Sequence, residues 1–324
     1  MQEVFIAVNQ VKVQEYMKMM PRVLVLMSVY NGCKYLPVQL DSIISQEGVN
    51  VSLYIRDDGS EEDPETIIHE YAKKISITYC KGHNIGAAGS FMQLIDLAEE
   101  EYDYYAFADQ DDFWEKDKLY TAIQYLEDKG ERSALYYSDV RRVGQNLERI
   151  EDPYKKVYHT EIFPDVIILT EAPGCTMVFN KKLLVSLKRY TPNYIYMHDS
   201  WVIQVCAAIG GTIVYDERPH ILYRQHTDNV IAGLEKIKYN LVQLFRYRVH
   251  KFFDFTYKPA IIASELQAGY YGFMDQKNRR IVQRISDAPK CLKYRIYMLF
   301  TNKISTPYWI YNMKFKLQVL LNKI

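Results

Sequence analysis

The stretch YYAFADQDDFW, residues 104–114, sets an apolar run of strand length directly against three aspartates in four positions. Aromatic and small apolar residues over 104–108 read as a buried strand. Ending that strand on Asp109, Asp111 and Asp112 gathers carboxylates that repel one another. In an extended segment positions i and i+2 face the same side, so Asp109 and Asp111 call for a cation between them. Hard divalent cations such as magnesium and manganese take oxygen ligands, usually one or two carboxylates together with substrate phosphates. The plainer alternative is a solvated acidic turn with Asp112 near a helix N-terminus, where negative charge is favoured.

The same layout recurs upstream. RVLVLMS (22–28) is a continuous apolar run of buried-strand length, and Leu36, Leu40, Ile43 and Ile44 follow at helical spacing. VSLYI (51–55) is a second strand that runs into DDGS. Asp63 and Pro64 read as N-cap and first position of a helix reaching Lys74. ISITY (75–79) is a third strand, and the glycine-rich KGHNIGAAGS leads from it into a helix marked by Phe91, Leu94, Ile95 and Ala98. A charged helix to about Lys129 follows the aspartates, then a fifth strand, ALYYSDV (134–140). Strands alternating with helices predict an α/β fold, a doubly wound and mostly parallel sheet. Right-handed crossovers bring the C-terminal ends of parallel strands to one rim, where ligands of such sheets bind. SVYNG, DDGS, NIG and DQDD all fall there. DDGS and NIG could also be plain turns. No P-loop motif is present and no GxGxxG follows the first strand, so the ATPase and dinucleotide-dehydrogenase readings lack their signatures.

The 324 residues suffice for a large domain with an appendage. Charge is unevenly shared: residues 231–324 hold 17 Lys+Arg against 5 Asp+Glu, and residues 1–230 hold 23 against 35. The expected organisation is an N-terminal extension (1–20), an α/β domain (21–230) and a basic, aromatic-rich helical C-terminal region (231–324). Residues 1–19 do not fit the later pattern, and Met19-Met20 is a candidate natural start. Five scattered cysteines without CxxC or zinc spacing read as reduced thiols in the cytosol. No apolar run reaches spanning length, and the N-terminus lacks a signal-peptide layout.

Taken in order, SVYNG, DDGS, NIG, DQDDFW, PGCTMVFN, HDSWV and YRQH resemble glycosyltransferase family 2, with the GT-A fold, over about residues 21–230. HDSW and YRQH are most similar to the rhamnosyltransferase-like branch of bacterial surface polysaccharide synthesis. The resemblance implies an inverting, metal-dependent transferase using a nucleoside diphosphate sugar. It places Ser28, Val29, Tyr30 and Asn31 in the loop framing the nucleotide, Asp57 at the base edge and Asn84 in a loop near the donor. Asp109 and Asp111 match the outer members of the DxD motif, with Asp109 toward ribose or metal and Asp111 on the metal. Gly174 matches the glycine loop beside the donor sugar, Asp199 the catalytic base and His226 a histidine completing the metal site. The base motif is often Glu-Asp; here it is His198-Asp199, so His198 could tune the base or meet acceptor. Trp114 and Trp201 are candidate sugar walls as well as packing residues. Asp199 opens an amphipathic segment with Val202, Val205, Cys206 and Ile209 on the buried side, where an Asp could also be only an N-cap. The QxxRW motif of processive synthases is absent.

The resemblance implies a Mg2+ or Mn2+ cofactor and a saccharide acceptor, polyprenyl-linked, with dTDP-L-rhamnose ahead of UDP-hexoses as donor. The basic, aromatic C-terminal region suits the inner face of the cytoplasmic membrane, so the expected location is cytoplasmic and peripheral to that membrane; a helical cap or oligomer interface is the alternative. No nucleic-acid module appears. Rival functions are a sugar nucleotidyltransferase, for which SVYNGCKYL is a poor triphosphate loop, and an inactive scaffold.

Overall fold

The structure is a computed structural model describing residues 20–129, 131–150, 160–170, 172–226, 250 and 252–324. Almost all of the expected N-terminal extension lies outside the described residues, as does most of KYNLVQLFRYRVHKFF (238–253).

Seven strands form the main sheet: β1 (Arg22–Val29), β2 (Asn50–Asp57), β3 (Ile77–Lys81), β4 (Tyr104–Ala108), β6 (Ala134–Ser138), β8 (Val178–Asn180) and β9 (Thr212–Asp216). Their order is β3-β2-β1-β4-β8-β6-β9. All neighbours are parallel except β8, which runs antiparallel to β4 and β6. A second, three-stranded sheet combines β5 (Phe113–Trp114), β7 (Arg141–Val143) and β10 (Ile221–Arg224) in the order β5-β10-β7. The third strand sits two residues later than expected. The helix after it starts at Gly86, whose positive φ of 76° suits a residue without Cβ.

Alternate residues of β1 feed two cores. Val23, Val25 and Met27 pack with α1 (Leu36–Ile44), α2 (Glu65–Ala72) and α4 (Lys118–Glu127) on one face. Leu24 and Leu26 pack on the other with α3 (Gly86–Leu97), α5 (Lys181–Leu187) and α6 (His198–Ala208). Strands covered on both faces read as continuous apolar runs for this reason.

The second core does not stop where the strands stop. It continues into α7 (Pro259–Tyr270), α8 (Gln276–Asp287), α9 (Leu292–Phe300) and α10 (Trp309–Leu320), through Leu266, Tyr270, Val282, Ile285, Met298, Phe315 and Val319. Residues 259–320 therefore pack onto the α/β part. Buried polar links cross the same seam: Asn278 Nδ2 donates to Ala208 O at 3.1 Å, and Gln204 Nε2 to Tyr257 Oη at 2.8 Å. Covered on both sides, α6 is buried over ten of its eleven residues, not amphipathic as its Val202-Val205-Cys206 pattern suggests.

Topology decides which loops share a rim. Parallel β1, β2 and β4 deliver Val29, Asp57 and Ala108 to one edge. Because β8 is antiparallel, it is its N-terminal end, with the 3₁₀ turn Gly174–Thr176 before it, that reaches this edge. Helix α6 leads down to the start of β9, so its own N-terminus lies at the rim.

Candidate active site

The first loop is clipped to both of its neighbours. Asn31 adopts φ 49°, a left-handed conformation asparagine tolerates. Its N–H donates to Ser60 Oγ at 2.9 Å, and its Oδ1 accepts from Glu61 N at 2.9 Å, joining SVYNG to DDGS. Gln110 then works like a strand partner for Tyr30: its Oε1 accepts from Tyr30 N at 2.8 Å and its Nε2 donates to Tyr30 O at 2.9 Å. The middle residue of DQD thus ties the nucleotide loop to the acidic loop. A Cβ at Gly32 would meet the Gln110 carboxamide at 2.0 Å, so a larger residue there would displace this tie. Tyr30 is exposed at the rim, whereas the Val29 side chain is buried in the core and Ser28 Oγ donates to Ser90 Oγ at 2.6 Å. Val29 can meet a ligand only through its backbone.

Asp57 is fully buried. Its Oδ1 accepts from Ser60 N at 2.9 Å and Ser60 Oγ at 2.6 Å, while Oδ2 has no hydrogen-bond partner and faces Lys81 Nζ at 3.7 Å. A buried acceptor without a donor is costly, and a ligand N–H would satisfy it. Asp58 holds the next loop instead: Oδ1 accepts from Ile85 N at 2.9 Å and from Arg56 Nη1 at 2.5 Å. Buried Arg56 also donates to His83 O at 3.0 Å and to Gln93, fastening NIG. Asn84 is exposed beside it, its Oδ1 accepting from Gly86 N at 3.0 Å.

The aspartates divide into two directions. Asp111 Oδ2 and His226 Nε2 are 2.7 Å apart. The His226 ring packs against Tyr35 with centroids 4.8 Å apart, and the Arg224 guanidinium stands 4.7 Å from the Tyr35 ring. Asp109 converges instead with Asp112 and Cys175, ligand atoms of the three lying within 4.8 Å of one another. Burial, then Asp111, then Asp199 push the Asp109 carboxyl up to about 7. Burial and the neighbouring Asp109 push Asp112 well above the usual carboxylate range, and burial also raises the Cys175 thiol, which stays protonated. Asp112 does not cap a helix as the plainer reading had it: α4 begins six residues later, and Asp112 Oδ1 accepts from Arg224 N at 3.2 Å, pinning β10 to the acidic loop. Carboxylates that resist ionising together, on a partly open rim, fit a hard divalent cation; a protonated thiol does not, so the oxygen donors are the fitting set.

Asp199 sits in the first turn of α6, beside Gly174. Burial raises its carboxyl to about 6, opposed by hydrogen bonds from the N–H groups of Ser200 and Gly174. Ionisation can therefore be reached near neutrality, as a general base needs. His198 is not available to an acceptor. Its ring is 4 % exposed, stacked on Phe91 at 4.0 Å and edge-on to Phe107 at 5.0 Å, and burial lowers it to about 3, so it stays neutral. Trp114 and Trp201 are 0 % and 1 % exposed, one in each core, Trp201 lying 6.0 Å from Tyr270. Neither is a sugar wall.

Gly174 is fixed by this crowding. A Cβ there would lie 2.7 Å from His198 Nε2 and 3.3 Å from the Asp199 Cβ. Because Phe91 and Phe107 hold His198, Gly174→Ala displaces Asp199; we expect kcat to fall by about 10–100-fold, with a stability loss of about 1–3 kcal/mol. Steady-state kinetics beside a denaturant titration checks both.

Arg56, Tyr35 and Lys118 left no sequence signal of their own, and Arg224 lies in YRQH beside the histidine to which that motif drew attention. Lys118 is buried over the Trp114 ring at 3.6 Å, and burial lowers it to about 7. Gln110 was readable only as a spacer.

The family described as glycosyl transferase family 2 matches residues 24–187. A dTDP-rhamnosyl transferase, RfbG of Shigella flexneri, is 31% identical over 264 residues, 76% of this chain and 90% of that protein. The Escherichia coli UDP-Glc:alpha-D-GlcNAc-diphosphoundecaprenol beta-1,3-glucosyltransferase WfaP is 30% identical over 112 residues, 33% of this chain and 42% of that one. Among solved structures, S. aureus TarS 1-349 in complex with UDP-GlcNAc superposes with a TM-score of 0.54 at 16% identity, covering 92% of this chain and 81% of TarS. The rim loops, their sheet and these likenesses agree, and the chain belongs to glycosyltransferase family 2: an inverting glycosyltransferase with the GT-A fold, in its rhamnosyltransferase-like branch.

Proposed function

We propose that this chain transfers a sugar, L-rhamnose from dTDP-L-rhamnose ahead of a hexose from a UDP-sugar, to a hydroxyl of a polyprenyl-linked saccharide in cell-surface polysaccharide synthesis. One observation carries the reading: Asp199, in the first turn of α6 beside Gly174, reaches the rim close enough to Asp109 to help raise the Asp109 carboxyl. A base and a diphosphate-facing acidic loop then flank one space. The match to a dTDP-rhamnosyl transferase over most of its length supports the donor, and the diphosphoundecaprenol acceptor in WfaP's name supports a lipid carrier.

Asp57 accepts from the base edge, and the backbone of the Tyr30 loop frames the nucleotide. Asp111 and His226 would hold Mg2+ or Mn2+ together with Asp109, whose carboxyl would turn from Asp112 and Cys175 toward them; the ion would neutralise the diphosphate and offset the charge that grows as it leaves. Asp199 takes the proton from the acceptor hydroxyl, whose oxygen attacks the anomeric carbon from the face opposite the diphosphate. A single displacement inverts the configuration.

Thermal stability with a panel of nucleoside diphosphates, each with and without manganese, tests the donor side. A shift requiring both nucleotide and metal supports the reading, and the best nucleotide identifies the donor class; no metal-dependent shift with any nucleotide rejects it. Thymine and uracil differ by one methyl group, so their separation should be modest, about 1–3 kcal/mol. Asp57→Asn keeps an acceptor for Ser60 and turns the unpartnered position into a donor. Nucleotide affinity should fall about 10–100-fold, measured by calorimetry; unchanged affinity would remove Asp57 from base recognition.

A further inference from the structure

We propose that the outer faces of α9 and α10 form a docking surface for an anionic lipid bilayer. The two helices pack on each other and turn Met298, Phe315 and Val319 into the core. Each also exposes large apolar side chains at helical spacing. On α9, Leu292, Ile296 and Phe300 recur every four residues, with Leu292 66 % and Phe300 80 % exposed. On α10, Trp309, Met313 and Leu320 share one face, with Trp309 70 % and Leu320 60 % exposed. Stripes at helical spacing that face water mark an interaction surface rather than scattered surface residues.

The charge around the stripes selects the occupant. From Ala288 to Ile324 the chain has seven Lys+Arg and no Asp or Glu. A two-fold contact between copies would set this basic surface against itself, which is unfavourable. An anionic headgroup layer is complementary to it, and Phe and Trp side chains suit the boundary between headgroups and acyl chains. The lysines of this segment would supply the cationic groups that an anionic headgroup layer attracts. The described residues contain no helix long and apolar enough to cross a membrane, so the contact is interfacial. The inference deepens the proposed lipid-linked acceptor and rests on that reading for its purpose, but vesicle binding itself is read without donor or acceptor.

Trp309 supplies the signal. Trp114 and Trp201 are buried, so a change in tryptophan emission on adding vesicles reports Trp309. The full chain is titrated with phosphatidylcholine vesicles, with and without phosphatidylglycerol, and sedimented with them. We expect binding and a blue shift with phosphatidylglycerol, both weakened by salt. The double variant Phe300→Ser, Trp309→Ser should bind about tenfold more weakly or worse, while keeping its melting temperature shift with nucleotide and its transfer to a soluble acceptor. Equal binding to both vesicle types, no binding, or undiminished binding by the double variant overturns the proposal. So does light scattering that shows a dimer which the double variant dissolves. Loss of transfer with intact vesicle binding would count against the transferase reading alone.

Discussion

Asp199→Asn lowers transfer by about 10²–10⁴-fold, the range a positioned general base contributes, and leaves donor affinity near its original value. Asparagine keeps the shape and the hydrogen bonds from Ser200 and Gly174 but cannot take a proton. KM for the donor should move little while kcat collapses, the pattern of an interaction used only in the transition state. The pH profile provides a second check. With the Asp199 carboxyl raised to about 6, kcat should fall roughly tenfold per pH unit below that value as the base becomes protonated. That acidic limb disappears in the variant. Transfer by Asp199→Asn at the original rate would reject it as the base.

The second large effect concerns Asp109. Asp109→Asn should lower transfer by roughly 10²–10³-fold, as when one preorganised electrostatic contact is lost, yet raise the melting temperature of the metal-free chain. Asp109 titrates near 7 in the fold against 3.8 for the free carboxyl. The unfolded chain therefore ionises more readily, and the fold loses stability as pH rises from about 4 to about 7, levelling off above. Asparagine carries no charge to resist, so this loss diminishes. The same variant should lose most of the manganese-dependent stabilisation in the presence of nucleoside diphosphate. Melting curves at several pH values, with and without manganese, test the three statements together. A metal-free variant less stable than the parent at pH 7 would mean that Asp109 holds the fold rather than a cation.

Both residues belong to the part of the site that was legible as sequence. A strand that stops on charged residues announces a rim position, since a buried strand cannot carry them further inward. That logic placed Asp57, Asp109 and Asp111 at or just beyond strand ends, where the structure has them. It failed for His198, Trp114 and Trp201, polar or aromatic residues within motifs that turned out to face the cores. Direction within a motif depends on what packs behind it: α6 is covered by α7 and α8, which turns Trp201 toward Tyr270, and His198 is trapped between Phe91 and Phe107. The amphipathic reading of α6 failed for the same reason, because the covering helices arrive from more than fifty residues later in the chain.

The sequence by itself determined the alternation of strands and helices, the parallel sheet and the acidic rim, because each follows from local periodicity and from the cost of burying charge. Tertiary structure alone decided that β8 runs antiparallel and so brings Gly174 to that rim. It alone decided that Asp111 faces His226 while Asp109 faces Asp112 and Cys175, and that Gln110 ties the two loops together. These are contacts between segments tens of residues apart. Their geometry is fixed by how two cores close around one sheet, which no local pattern records.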